Sequence, residues 1–315
     1  MRKIIALVLV LLMAIPFAAC KKDDGKYTVG ICQFIQHDAL DAATKGFKQA
    51  LIDKLGAENV EFVEENAAGD TANCTTIVNS LVSAEVDLIM ANATPALQAA
   101  ANATRSIPVL GTSVTEYGVA LNIDNFSGTV GTNVSGTSDL APLDEQAAMI
   151  TEWFPDAQKV GMLYCSAEAN SLYQVDTVSK ILNEKGIETE KFAFTDSNDM
   201  AQVITKAADW SDVIYVPTDN AVANATETVD SICAPAKVPI IAGEAGICNG
   251  CGVATLSISY YDLGYKTGEM AAQILTGEAN VKDMAIAYAP AVKKYNAAKC
   301  EALGLTPLEG YEKLS

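Results

Sequence analysis

Residues 87–96 read DLIMANATPA, and residues 212–221 read DVIYVPTDNA. Each is an Asp, then an apolar strand-like run, then a Thr where a strand hands over to a helix. The text around the two stretches runs in parallel. Before and after the first come YTVGICQF (27–34) as a strand, ALDAATKGFKQALIDKLG (39–56) as an amphipathic helix closed by Gly, and VEFVEEN (60–66) as a strand. Then follow DTANCTTIVNSLVSAE (70–85) as a helix capped by Asp70 or Thr71, VDLIMANA (86–93) as a strand, TPALQAAANATRS as a helix and IPVLGT (107–112) as a strand. Around the second, KVGMLYC (159–165), IETEKFAF (187–194), SDVIYVP (211–217) and VPIIAG (238–243) read as strands. NSLYQVDTVSKILNEKG (170–186), DMAQVITKAADW (199–210) and TDNAVANATETVDSIC read as the helices between them. Gly30 and Gly161 stand 131 positions apart, as do Pro108 and Pro239, and Thr94 and Thr218 stand 124 apart. Order, offset and local text agree, so the chain holds two copies of one plan.

The order β-α-β-α-β-α-β implies a parallel sheet with helices on both faces. The expected fold is therefore α/β, two similar three-layer αβα lobes joined by a hinge. Ligands of open parallel sheets bind beyond the carboxyl ends of the strands, so two facing lobes place a ligand cleft between them. Residues 253–277 and 285–305 each add a strand and a helix that carry the chain back across the hinge.

With 315 residues, 50% hydrophobic and 19% charged, the chain is long enough for two cores and is not a disordered composition. It has 21 Lys+Arg against 39 Asp+Glu, a net charge of -18, which argues against nucleic acid or an anionic membrane surface as a partner. At the N-terminus Met1, Arg2 and Lys3 precede an apolar run, residues 4–19, that is short for a membrane span and suits a signal peptide. FAAC, ending at Cys20, resembles the lipobox of bacterial lipoproteins, although Phe17 stands where Leu is usual. That resemblance implies cleavage before Cys20 and a lipid on its sulfur, with residues 21–26 as a tether; the alternative is a plain secretory signal with an incidental cysteine. Seven further cysteines follow. Cys248 and Cys251 have CxxC spacing, read as a local disulfide or two inert thiols ahead of a metal, since no second CxxC or nearby His completes a zinc site. No cofactor is expected.

Taken together, GICQFIQHDALDAATKGF (30–47), ANATPALQAA (91–100), NVSGTSDLAP (133–142) and SISYYDLGYKTGEMAA (257–272) resemble the tryptophan-type substrate-binding lipoproteins of ABC transporters, over essentially the whole chain. The lobe pattern alone is similar to any type I periplasmic-type binding protein. The resemblance implies an extracytoplasmic, lipid-anchored, monomeric protein that captures a small molecule and delivers it to an ABC permease in the bacterial cell membrane. It implies an aromatic amino acid as ligand, with another amino acid or small solute as the alternative, and lobes of residues 27–140 plus 259–285 and 141–258 plus 286–315.

An amino-acid ligand needs donors for its carboxylate, an acid or carbonyls for its ammonium, and a pocket for its side chain. At strand ends of lobe 1, Gln33 and His37, the only histidine, face the cleft, and the resemblance puts their segment at the ligand. Thr94 is expected to cap a helix with Pro95 in its first turn, with Asn92 and Gln98 adding contacts. Ser113 ends a strand, while Asn133, Ser135 and Ser138 lie in a Gly-rich stretch read as a loop near the hinge. Lobe 2 offers Glu168, Asn170, Ser171, Asp219, Asn220 and Glu244. Asp219 is the preferred ammonium partner, with Glu168 and Glu244 as alternatives. Phe34, Tyr117, Tyr173 and Tyr260 are candidate stacking partners. An enzyme acting between two lobes is the rival, but no nucleophile–His–acid set, phosphate loop or dinucleotide fingerprint is legible. A sensor that signals to a membrane partner is a further alternative.

Overall fold

The computed structural model describes residues 25–314. The apolar segment 4–19, Cys20 and residues 21–24 of the tether lie outside the described residues.

In lobe 1, β1 (Tyr27–Gln33), α1 (Asp38–Leu55), β2 (Val60–Asn66), α2 (Thr71–Ser83), β3 (Leu88–Asn92), α3 (Thr94–Ala103), β4 (Val109–Val114), α4 (Tyr117–Leu121) and β5 (Val134–Ser138) follow one another. The chain then crosses to lobe 2 through α5 (Leu143–Trp153), β6 (Lys159–Cys165), α6 (Ala169–Glu184), β7 (Glu188–Phe194), α7 (Ser197–Trp210) and β8 (Val213–Val216). That lobe continues with α8 (Asn220–Ala223), α9 (Thr226–Ala236), β9 (Ile240–Ala242), α10 (Ala245–Gly250) and β10 (Ala254–Ser257). Helix α11 (Tyr260–Leu275) and β11 (Ala287–Tyr288) return to lobe 1; β12 (Val292–Tyr295), α12 (Ala297–Leu303) and β13 (Glu312–Lys313) end in lobe 2.

The first sheet has the order β11-β5-β4-β3-β1-β2, and the second β13-β12-β10-β9-β8-β6-β7. Pairings are parallel except β10 with β12. Helices cover both faces of each sheet, and the strands show it by alternation. Leu88 and Met90 of β3 join Phe47 of α1 and Met270 of α11 in one core, while Ile89 and Ala91 join Val78 of α2 and Leu97 of α3 in the other. In lobe 2 one core gathers Met162, Val178 and Ile150, the other Leu163, Ile204 and Val229.

Helices α1 and α11 pack closely because their facing positions are small: a Cβ at Gly264 would stand 1.9 Å from the Ala43 carbonyl oxygen. Three segments join the lobes: residues 139–142, 258–259 and 289–291. The last differs from the expected boundary at 285, because Ala287 and Tyr288 pair with Thr137 and Ser138 and so belong to lobe 1. A second difference is β5 itself. Its sequence, VSGTS, is a fully buried strand rather than a loop. The helix expected over TDNAVANATETVDSIC is broken into α8 and α9. All seven cysteines among the described residues are buried free thiols, Cys248 and Cys251 included.

Candidate functional site

The carboxyl ends of both sheets face each other across a cavity lined by His37, Leu40, Ser113, Thr115, Asp139 and Tyr260 from lobe 1 and the hinge, and by Asn170, Thr218, Asp219, Asn220, Ala223 and Glu244 from lobe 2. Its free volume is small, about 10 Å³, room for roughly one water. The lobes touch across it. His37 Nε2 lies 3.2 Å from Asn220 Oδ1, and the Thr115 and Thr218 hydroxyls are 3.3 Å apart. The structure is thus a closed one.

His37 stands at the N-cap position of α1, but its ring makes no cap bond and turns to Asn220 instead. Burial holds its pKa below the ordinary value, opposed by the Asn220 contact and by Asp41 and Asp38. Gln33 and Asn92 do not line the cavity. Gln33 donates to Asp41 Oδ1 at 2.7 Å and accepts from Thr44 at 2.6 Å, and Asn92 donates to the Leu40 carbonyl at 2.8 Å. Both tie α1 to the sheet and so hold the loop that carries His37. Thr94 is not the cap of α3. Ala93 occupies that position with φ +86°, because its N–H still belongs to the sheet, bonded to Thr112 O, and the chain turns there. Thr94 and Pro95 are buried in the first helical turn outside the cavity lining.

Ser113 lines the cavity from an irregularity in β4, with φ +53° and a hydroxyl that has no hydrogen-bond partner. Such strain in a non-glycine residue is tolerated where surrounding structure enforces it, commonly at binding sites. Asn133 is elsewhere. It precedes β5, and its amide donates to Thr104 O and Ile107 O, at the amino end of the sheet away from the cleft. Ser135 donates to Met284 O and Ser138 to Thr115 O.

The three acids of lobe 2 are occupied with main-chain donors. Asp219, the expected ammonium partner, accepts Cys165 N–H at 2.7 Å on one oxygen and Val222 N–H at 2.9 Å on the other, so it caps α8 and ties it to β6. Ser171 supports this carboxylate. Glu168 accepts from Asn220 N–H, the Asn220 amide, Ala221 N–H and Asn170, stapling α6 to α8. Glu244 accepts Gly246 and Ile247 N–H at the start of α10. Burial pushes Glu168 up to about 8 and Glu244 up to about 7, and raises Asp219.

The residue that sequence reasoning missed is Asp139. It follows β5 at the hinge and is 5% exposed. Its Oδ2 accepts from the Tyr260 hydroxyl at 2.9 Å, while Oδ1 is buried without a hydrogen-bond partner. Burial raises its pKa, against the pull of the Tyr260 and Thr115 hydroxyls. Unpaired polar atoms of Ser113, Asp139 and Asn170 therefore belong to residues of one cavity. Among the described residues no Lys or Arg lines it. Of the expected stacking residues, Tyr260 reaches the cavity, whereas Tyr117 is core, donating to Thr137 O and stacked on Phe126. A signal for Asp139 was present: an acid directly after NVSGTS, hidden because that stretch does not look like a strand.

This arrangement offers one buried carboxyl with a free oxygen and several neutral hydroxyl and amide groups, a set that suits a small cation-bearing polar ligand enclosed by both lobes.

Comparison with known proteins agrees with this geometry. The family model for ABC transporter substrate binding proteins matches residues 28–299. The chain is 36% identical over 265 residues to a tyrosine-binding protein of Clostridioides difficile, spanning 82% of this chain and 76% of that one. A Streptococcus pneumoniae domain solved in complex with L-Trp superposes with a TM-score of 0.87 at 30% identity, covering 92% of this chain and all of that one. A ligand-free, open substrate-binding protein with adhesive properties from Clostridium difficile shares more sequence, 36%, yet superposes at 0.69, covering 92% of this chain and 99% of that one. A leucine-binding protein from Thermotoga maritima, 13% identical with a TM-score of 0.61, shares the fold. The chain belongs to the ABC transporter substrate-binding protein family, a family of binding proteins rather than enzymes.

Proposed function

We propose that this protein captures an aromatic amino acid outside the membrane by closing two lobes on it, and passes it to an ABC permease. The observation that carries the reading is Asp139: a buried carboxyl at the hinge, one oxygen held by Tyr260 and the other unpaired, in a cavity without cations. It meets the ligand's ammonium together with the unpaired Asn170 Oδ1, and the Ser113 and Thr115 hydroxyls offer donors to the carboxylate. Asp219, Glu168 and Glu244 shape this wall through the helix starts they hold. The tyrosine-binding and L-Trp-bound relatives support the aromatic class. The basic start, apolar segment and FAAC at Cys20 support export and a lipid anchor that tethers the protein at the membrane surface.

The test is isothermal titration and thermal-shift screening against the twenty amino acids. Tyrosine, tryptophan or phenylalanine should bind and raise the melting temperature by mass action. Binding of another class with none of these three refutes the aromatic reading. Inhibition of lipoprotein processing, or Cys20→Ala, should leave an unprocessed precursor that keeps its apolar segment; normal processing to mature size with continued membrane retention in Cys20→Ala refutes the anchor.

A further inference from the structure

The space between the lobes has two compartments, and only the outer one presents large aliphatic, thioether and phenyl side chains together. The inner one, at the hinge, holds about 10 Å³ and carries the unpaired atoms of Ser113, Asp139 and Asn170. Past Asn220 the cleft widens into a groove of about 430 Å³ toward the β2 and β7 edges of the sheets. Both lobes wall this groove: Phe34 and Ile35 follow β1, Met200 comes from α7, and Ala221 and Ala225 from the α8–α9 region. Thr195, Ser197 and Asn224 add polar groups among them, and Asp70, Glu168 and Asp196 add carboxylates. The two compartments share one partition, where the Asn220 amide, lining the inner cavity, donates at 2.6 Å to Glu168, which lines the groove.

Resting on the amino-acid reading above, we infer that the outer groove holds the ligand's aromatic ring while its head group stays at Asp139, and that Ile35 and Met200 are specificity-determining residues. An α-amino acid is charged at one end and apolar at the other. The reverse orientation would set a ring among the unpaired oxygens of Ser113, Asp139 and Asn170, and an ammonium beside Asp70, Glu168 and Asp196, whose carboxylates already accept the main-chain N–H groups of Ala72, Asn220 and Asn198. The chosen orientation gives each end its own chemistry. Ile35 and Met200 stand on opposite lobes, so a ring between them is gripped only when the lobes are closed, and the thioether of Met200 makes favourable contact with an aromatic edge. Ser197 and Asn224 offer partners to a phenol hydroxyl or an indole N–H. A ligand spanning both compartments would part the His37–Asn220 contact, which closes the inner one across the lobes.

The experiment is methyl NMR on protein labelled at its methionine methyls, with the Met200 signal assigned through Met200→Leu and calorimetry run in parallel. A ring beside Met200 shifts its methyl resonance by an amount that depends on the ring, so tyrosine, phenylalanine and tryptophan should give three different shifts. Binding by calorimetry with an identical Met200 shift for all three, or with none, overturns the inference and leaves the function standing. If none of the three binds, the functional reading fails first. As an independent arm, Ile35→Ala should weaken binding of the aromatic ligand by roughly tenfold, through lost apolar burial. Unchanged affinity in that folded variant also overturns it.

Discussion

Replacing Asp139 by Asn keeps the shape of the side chain and removes its charge. The Tyr260 hydroxyl, 2.9 Å from Oδ2, still has an amide oxygen to donate to, so the hinge geometry survives. What disappears is the anion facing the ligand's ammonium. Deleting one partner of a buried, hydrogen-bonded charge pair costs about 2–5 kcal/mol, roughly thirty- to several-thousand-fold in Kd. The retained neutral acceptor places the expectation near the lower part of that range, about a hundredfold. Stability should move the other way. The carboxyl is buried and its pKa is raised by that burial, so the ligand-free protein carries a desolvation penalty that Asn removes. Calorimetry with tyrosine, together with thermal melts of the ligand-free protein, separates the two effects. Affinity within threefold of the parent refutes the assignment of Asp139. Lost affinity with a sharply lowered melting temperature would mean that the fold, not the charge, had failed.

Asp219→Asn should do the reverse, lowering stability by about 1–3 kcal/mol through its bonds to Cys165 and Val222 N–H, with a far smaller effect on affinity; chemical denaturation and titration read both. Gly264→Ala should destabilise by about 1–3 kcal/mol or more, because the new methyl meets the Ala43 carbonyl and forces α1 from α11; an unchanged denaturation midpoint refutes that packing account. The buried acids predict a pH trend. Glu168 and Glu244 are pushed from 4.5 up to about 8 and about 7, so between those limits the folded chain holds more protons than the unfolded one. Stability of the ligand-free protein therefore falls as pH rises across this window, and its melting temperature should be higher at about pH 5.5 than at about pH 8, a difference reduced by Glu244→Gln.

What could be read in advance follows from how burial writes itself into sequence. DLIMAN and DVIYV are apolar on both faces because both faces are covered, and that run appears twice at matching spacing. β5 could not be read so. VSGTS looks like a turn because the neighbouring backbone and a tyrosine leave no room for larger side chains: a Cβ at Gly136, whose φ is +143°, would lie 2.1 Å from Gly111 O and 2.4 Å from the Tyr117 hydroxyl. The hydroxyls that suggest a loop are paired inside, Thr137 with Thr112 and Thr267. Losing that strand meant losing the strand end, and with it Asp139. The lobe 2 acids failed differently. Their positions at strand ends were legible, but an acid that caps a helix and an acid that awaits a ligand have the same sequence, and only the count of donors on each oxygen distinguishes them.

Asp139 also explains why closure and binding are coupled. In an open cleft water can solvate its free oxygen; closing the lobes removes that water and leaves the oxygen unpaired, so closure without a ligand carries an electrostatic penalty. An ammonium in that place turns the penalty into an attraction strengthened by the same exclusion of water. The ligand thus binds the closed state in preference to the open one, and this difference alone sets how far it can shift the lobes. Moving the equilibrium from one part in a hundred closed to ninety-nine takes about 5.5 kcal/mol of differential affinity. The loss of ~3 kcal/mol expected for Asp139→Asn is a large share of that. The variant should therefore do more than weaken binding. Ligand-free, it should close more readily than the parent, because Asn leaves a neutral group where the bare charge stood; with ligand, it should gain less further closure. Small-angle scattering with and without tyrosine reads the difference, and a ligand-free variant no more closed than the parent would place the cost of closure somewhere other than at Asp139.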